Sequence, residues 1–200
     1  MSIIGYFHNL CIYTRRVEVL ANQICELLPE NAKVLDVGCG DGKLDQLIMK
    51  RRPDINIQGV DVLIRPVTFI PVDTFDGAHL PYEDNSYDVV MFVDVLHHTM
   101  EKELLLNEAK RISLNGVMLK DHTRNGLFAN ATLKFMDWVG NRHHGVVLPY
   151  EYWSYDEWMD AIGKLSLSVK LWRSTFKLYP WPASWLFDRS LHFITLLEKA

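Results

Sequence analysis

The sequence predicts an α/β protein with a doubly wound, mostly parallel sheet of seven strands and helices on both faces. Three observations carry this. Short apolar runs alternate with stretches at helical spacing through residues 33–120. The first of these runs leads straight into a glycine-rich loop, Gly38-Cys-Gly-Asp-Gly42, that opens a helix. Tyr87–Val93 is an almost unbroken apolar run, as expected of a strand buried on both faces of a parallel sheet.

Residues 7–28 alternate apolar and polar positions at helical spacing and stop before Pro29, so they read as an amphipathic helix within an N-terminal helical segment, residues 1–30. Lys33–Val37 is the first strand. Residues 43–51 form a helix closed by Arg52-Pro53, because the residue before proline is pushed out of helical backbone. Asn56–Val60 is a second strand ending at Asp61, and Val67–Val72 a third. After Tyr87–Val93 come a helix over Glu101–Ile112, a turn at Asn115-Gly116 and a fifth strand, Val117–Lys120. Residues 122–153 show no clear strand periodicity and are expected to form a lid. Ser154 N-caps a helix with Asp156 and Glu157 in its first turn. Ser168–Trp172 and Leu191–Glu198 are the last two strands, with an aromatic, proline-rich stretch at 176–187 between them. No repeat, low-complexity tract or linker divides the chain. One domain over residues 1–200 is therefore expected, with residues 31–121 holding a cofactor and 122–200 facing a substrate.

Composition excludes several classes. Two hundred residues, 48% hydrophobic and 23% charged, suffice for a core without disulfides or metals. A net charge of −4 gives no reason to expect nucleic acid as a partner. Cys11, Cys25 and Cys39 make no C-x-x-C pair, which suits a reducing cytoplasm. No run of about 18 apolar residues is present to span a membrane. His8 and Asn9 interrupt the first apolar stretch, and Arg15-Arg16 follow it, which is not the pattern of a signal peptide. The 176–187 stretch leaves three readings: core, a dimer surface, or a peripheral membrane contact. Monomer and homodimer both stay open.

The strongest signal is Val34-Leu-Asp-Val-Gly-Cys-Gly-Asp-Gly42, a D-x-G-x-G-x-G pattern between a strand and a helix. Glycines let a ligand approach the peptide groups with no Cβ in the way, and the following helix offers unpaired N–H groups. A dinucleotide fingerprint needs a third glycine where Lys43 stands, and a Walker loop fails because Leu44 follows Lys43. Asp61, about 20 residues beyond the loop, is placed to take both ribose hydroxyls of a nucleoside.

With these residues the sequence resembles class I S-adenosylmethionine-dependent methyltransferases. The family pattern continues in Asp76-Gly-Ala-His-Leu-Pro81, in Asp84-Asn-Ser-Tyr-Asp-Val-Val90 and in Leu96-His-His98, so the resemblance covers roughly residues 33–121. It implies that Asp36, Gly38, Cys39 and Gly40 face the methionine and ribose part of S-adenosylmethionine. It further implies that Asp61 holds the ribose, Val62 lies against the adenine, and Asp76 with Gly77 reads the adenine edge. Asp94 and Val95 would contact the cofactor's amino-acid end. Gly77 stands where relatives often carry a larger residue.

Catalysis then asks for a positioned acceptor and, if that acceptor is a hydroxyl, for a base. His122, at the C-terminal end of the fifth strand, is the first candidate, and His97, opening the loop after the fourth, the second. His98 reads as a cap of the next helix that also borders the substrate. His143, Tyr150 and Tyr152 are candidate substrate contacts from the lid. His143-His144 with Asp137 lack matching ligand spacing, so no metal is expected. The predicted activity is methyl transfer to a small or medium-sized, apolar, aromatic or lipid-linked acceptor, with oxygen favoured. The rivals are a nicotinamide-dependent oxidoreductase and a non-catalytic S-adenosylmethionine-binding accessory subunit.

Overall fold

The structure, a computed structural model, describes residues 3–141 and 149–199. Its seven strands are β1 (Lys33–Val37), β2 (Asn56–Asp61), β3 (Val72–Thr74), β4 (Tyr87–Val93), β5 (Ser113–His122), β6 (Leu167–Arg173) and β7 (His192–Lys199). They lie side by side in the order β3-β2-β1-β4-β5-β7-β6. All neighbours are parallel except β7, which runs antiparallel to both β5 and β6.

Alternation along the central strands divides the core. Leu35, Phe92 and Leu119 point to one face, under α3 (Lys102–Ile112) and α5 (Tyr155–Lys164), where they meet Leu106 and Trp158. Their neighbours Val34, Met91 and Met118 point to the other face, under α1 (Ile3–Leu27) and α2 (Lys43–Arg51), against Leu20, Ile24 and Ile48. Each of these strands is buried on both sides, which is why it reads as a continuous apolar run. Strand order reverses between β1 and β4, and the crevice beyond their C-terminal ends is where open α/β sheets place ligands.

Three boundaries and two short segments differ from expectation. The third strand is only Val72–Thr74, because Pro66 and Pro71 cannot donate to a ladder and residues 67–71 instead dock on the glycine loop, with the Phe69 N–H bonded to the Asp41 carbonyl at 2.8 Å. Asn115-Gly116 is not a turn but part of β5. Glycine stands there because β7 passes so close that a Cβ would lie 1.9 Å from the Leu197 carbonyl oxygen. The first helix spans Ile3–Leu27, starting earlier than residue 7. The lid contains a helix, α4 (Ala129–Asn141), and a short helix, α6 (Ala183–Phe187), interrupts the aromatic stretch. Ser154 caps α5 as expected, accepting from the Glu157 N–H while the Glu157 carboxylate accepts from the Ser154 N–H. Among the described residues no helix is long and apolar enough to cross a membrane.

Candidate active site

The glycine loop follows β1 and folds over the end of β2. Gly38 holds φ at +77°, and a Cβ on it would lie 2.6 Å from a methyl of Val95, so only a glycine lets the loop backbone pack against that side chain. Asp61 ends β2 and ties the loop down. One of its carboxylate oxygens accepts from the Gly40 N–H at 2.9 Å, the other from the Leu63 N–H at 3.0 Å. Val62 is exposed beside Gly77, whose absent Cβ would meet it at 3.4 Å. Asp76 accepts from the Ala78 and His79 N–H groups, and these bonds lower its pKa to about 2. Cys39 turns its thiol into the sheet against Gly59, where burial and then the carboxyls of Asp36 and Asp45 push its pKa up.

Asp36 and Asp45 are both buried, facing each other beneath this loop. Burial, and for Asp36 the neighbouring Asp45, raises their pKa values, that of Asp45 to about 7. The Asp36 Oδ1 and both Asp45 carboxyl oxygens have no hydrogen-bond partner.

A second cluster lies at the ends of β4, β5 and β7. Asp94 follows β4, and Arg16 of α1 and Lys120 of β5 both pair with it. Burial opposes its charge, but Lys120 and then Arg16 hold it well below the usual carboxylate range. Asp121 accepts from the Leu96 N–H at 3.0 Å and lies 2.6 Å from the His97 Nδ1. On the other side of the ring, the His97 Nε2 is 3.4 Å from Asp137 of α4, and the Tyr152 hydroxyl donates to that same carboxylate. Burial works against a charge on His97, yet Asp121 and Asp137 raise its pKa to about 10.

His122 is also buried, with Nδ1 at 3.3 Å from Asp121 and 3.6 Å from Asp94. Burial first, and Lys120 second, lower its pKa. His98 packs its ring on His97 at 4.0 Å, and burial with the His97 charge brings it down to about 4.

Of the predicted residues, the structure brings His97, His98, His122, Asp94 and Tyr152 together, and separately gathers Asp36, Gly38, Cys39, Gly40 and Asp61. Tyr152 is a buried member of the network rather than an open wall, while Tyr150 is half-buried with the Lys134 ammonium 5.8 Å from its ring. His143 lies outside the described residues. Two sets, His97–Asp121–His122 and His97–His98–Asp137, place their ligand atoms within 4.8 Å, close enough for a metal ion. The carboxylates Asp94, Asp121 and Asp137 already face Arg16, Lys120 and His97, so the network supplies its own counter-charges.

Sequence reasoning missed Arg16, Asp45 and Lys120, and weighed Asp137 only as a metal ligand, not as a partner of His97. Lys120 carried a signal, a lysine in a strand buried on both faces, which requires a partner. Asp45 looked like an ordinary acid in a helix's first turn, and Arg16 like a solvated helical residue.

Residues 35–119 match the family of methyltransferase domains. Over this stretch the chain is similar to that family. The chain is 26% identical over 117 residues to Ajmaline N-methyltransferase of Rauvolfia serpentina, a match covering 51% of this chain and 39% of that protein. It is equally 26% identical over 103 residues to the tRNA (carboxymethyluridine(34)-5-O)-methyltransferase of Schizosaccharomyces pombe, covering 50% and 41%. The matched segment thus spans about two-fifths of these relatives. In fold, the chain superposes on the PH0226 protein of Pyrococcus horikoshii with a TM-score of 0.69, at 16% identity over 94% of this chain and 91% of that one.

S-adenosylmethionine is the cofactor that this similarity implies, and the residues present fit it. At Gly38 the loop is bare backbone packed under the Val95 side chain, the Asp36 Oδ1 is buried without a partner, and Asp61 stands at the strand end where a ribose is held.

Proposed function

We propose that the chain transfers a methyl group from S-adenosylmethionine to a small or medium-sized acceptor, with oxygen the favoured acceptor atom. One observation carries the reading: a buried His122 of lowered pKa beside Asp94 and Asp121, at the strand ends next to the glycine loop. Residues 31–121 hold the cofactor and residues 122–200 face the acceptor, within one unit.

The bound cofactor supplies an electrophilic methyl group on a sulfonium. The chain does the rest. Asp61 holds the ribose hydroxyls, Val62 and Gly77 flank the adenine, and Asp76 takes its amino edge. Asp94 and Val95 border the amino-acid end, where the Arg16 Nε, buried and without a partner, is the donor available to a carboxylate. His122 enters the reaction neutral and takes the acceptor's proton at its imidazole, with Asp121 and Asp94 stabilising the cation that forms. His97 stays protonated between two carboxylates, so it positions Asp121 and does not itself act as a base. Burial of the cluster keeps water out and strengthens each of these interactions.

Calorimetric titration with S-adenosylmethionine, S-adenosylhomocysteine, NAD and NADP tests the cofactor. The sulfonium pair should bind and the nicotinamides should not. Asp61→Ala should weaken binding by roughly 1–3 kcal/mol, the usual effect of stranding polar partners. Gly38→Ala should abolish it. Heat from NAD, or an unchanged affinity in both variants, would overturn the reading.

A further inference from the structure

We propose that the outer face of α4 and α6 docks on the surface of an anionic lipid bilayer. In α4, Ala129, Leu133 and Asp137 are buried at a spacing of four, which turns the opposite side to solvent. That side is apolar. Phe128 is 71% exposed and Phe135 53%, and Leu127 just before them is 78% exposed. The short α6 lies alongside, with the Phe187 ring stacked 6.4 Å from Phe135 and Arg189 donating to the Thr132 hydroxyl at 3.2 Å. It adds Trp185 at 79% exposed, and Trp181, just before it, is 85% exposed. A contiguous aromatic patch of this kind marks an interaction surface, and a mixture of Trp, Phe and Leu bordered by cations is the chemistry of a membrane interface.

Charge selects the partner. The chain carries 25 acids and a net charge of −4, yet residues 124–139 and 176–190 contain only Asp137 and Asp188. Neither carboxylate faces outward. Asp137 is buried against His97 and Tyr152, and Asp188 accepts from the Leu178 and Tyr179 N–H groups. Lys134, Lys177 and Arg189 are exposed on the same segments. An acidic protein has kept its exposed acids off this face, which matches an anionic headgroup layer. A second copy of the chain, meeting this face across a two-fold axis, would oppose cations to cations.

The inner side of α4 supplies Asp137 to the strand-end network, so the docking face and the site lie back to back across one helix. An acceptor resident in the bilayer, an amphiphile, would enter from that side. This last point rests on the methyl-transfer reading above, whereas the docking itself does not.

Sedimentation of the full chain with vesicles tests docking. Vesicles of phosphatidylcholine with phosphatidylglycerol should carry the protein down, with binding that weakens as salt rises, and pure phosphatidylcholine should not. The double variant Trp181→Ala/Trp185→Ala should lose binding by roughly tenfold or more, and Lys134→Glu/Lys177→Glu by a similar factor. Both should keep the melting curve of the parent chain. Absence of sedimentation, or equal binding by both variants, overturns the proposal. So does a dimer in light scattering that the tryptophan variant dissolves. Vesicle binding by a chain that gives no heat with S-adenosylmethionine would uphold docking while the methyl-transfer reading falls.

Discussion

His97 and His122 lie ring against ring, 4.7 Å between centroids, and share Asp121, yet their surroundings set opposite protonation. His97 has a carboxylate at each nitrogen, while His122, also buried, has both its carboxylates on Nδ1 and Lys120 as a close cation. The neutral form of His122 is the one able to take a proton, so activity should fall as pH drops through a value below 6.5, histidine's ordinary one. His122→Asn should lower turnover by roughly two to four decades and leave the S-adenosylmethionine affinity unchanged. A kcat profile against pH, with calorimetry on the variant, checks both. An acid limb above 6.5, or full activity in the variant, removes His122 from the mechanism. The position of this histidine was readable, since β5 ends at it and strand ends face ligands. Its protonation was not, because burial decides it first, and His97 and Asp94, which also act on it, reach it from the segment after β4 only once the sheet has formed.

At the scale of elements, the carboxyl end of α1 shows how a residue read as punctuation can be a fastener. Arg52-Pro53 was legible as the stop of α2, but the Arg52 guanidinium also reaches α1. It donates to the carbonyls of Cys25 at 2.8 Å, Leu28 at 3.3 Å and Pro29 at 3.2 Å, and is braced by Asp54. These are the unpaired carbonyls that end a helix, and a cation there also complements the helix dipole. Arg52→Ala should destabilise the fold by about 1–3 kcal/mol through carbonyls left without donors, and Arg52→Lys should recover only part of it. Denaturant unfolding measures this, and a variant as stable as the parent chain would mean that water serves those carbonyls equally well. The strands show the complementary lesson. Periodicity located β1, β2 and β4 within a residue because burial on both faces leaves no other pattern. It misplaced β3, where prolines and docking on the glycine loop outweighed apolar content.

For the whole molecule, topology followed from local patterns: alternating elements, one glycine loop and one strand-end acid suffice to orient a doubly wound sheet. The network that joins its parts did not, since each member is an ordinary charged residue until the fold assembles it. His97 is the joint, linking the 3₁₀ turn at Leu96–His98 to β5 through Asp121 and to α4 through Asp137. Its pKa is about 10 when folded and 6.5 ordinarily, so the folded chain keeps a proton that the unfolded chain releases. The stabilisation is therefore complete below pH 6.5, declines by about 1.4 kcal/mol per pH unit above it, and is lost near pH 10. Asp45, raised to about 7, weakens with rising pH in a lower window, between the ordinary 3.8 and 7, and is finished where most of the His97 decline takes place. Comparing the parent chain with His97→Gln separates the two, because every other titration is common to both. The stability advantage of the parent should be widest near pH 6 and should shrink steadily to pH 10 in thermal unfolding. Curves that run parallel across that range would mean that the two carboxylates do not hold a proton on His97, and the joint would then be one of shape alone.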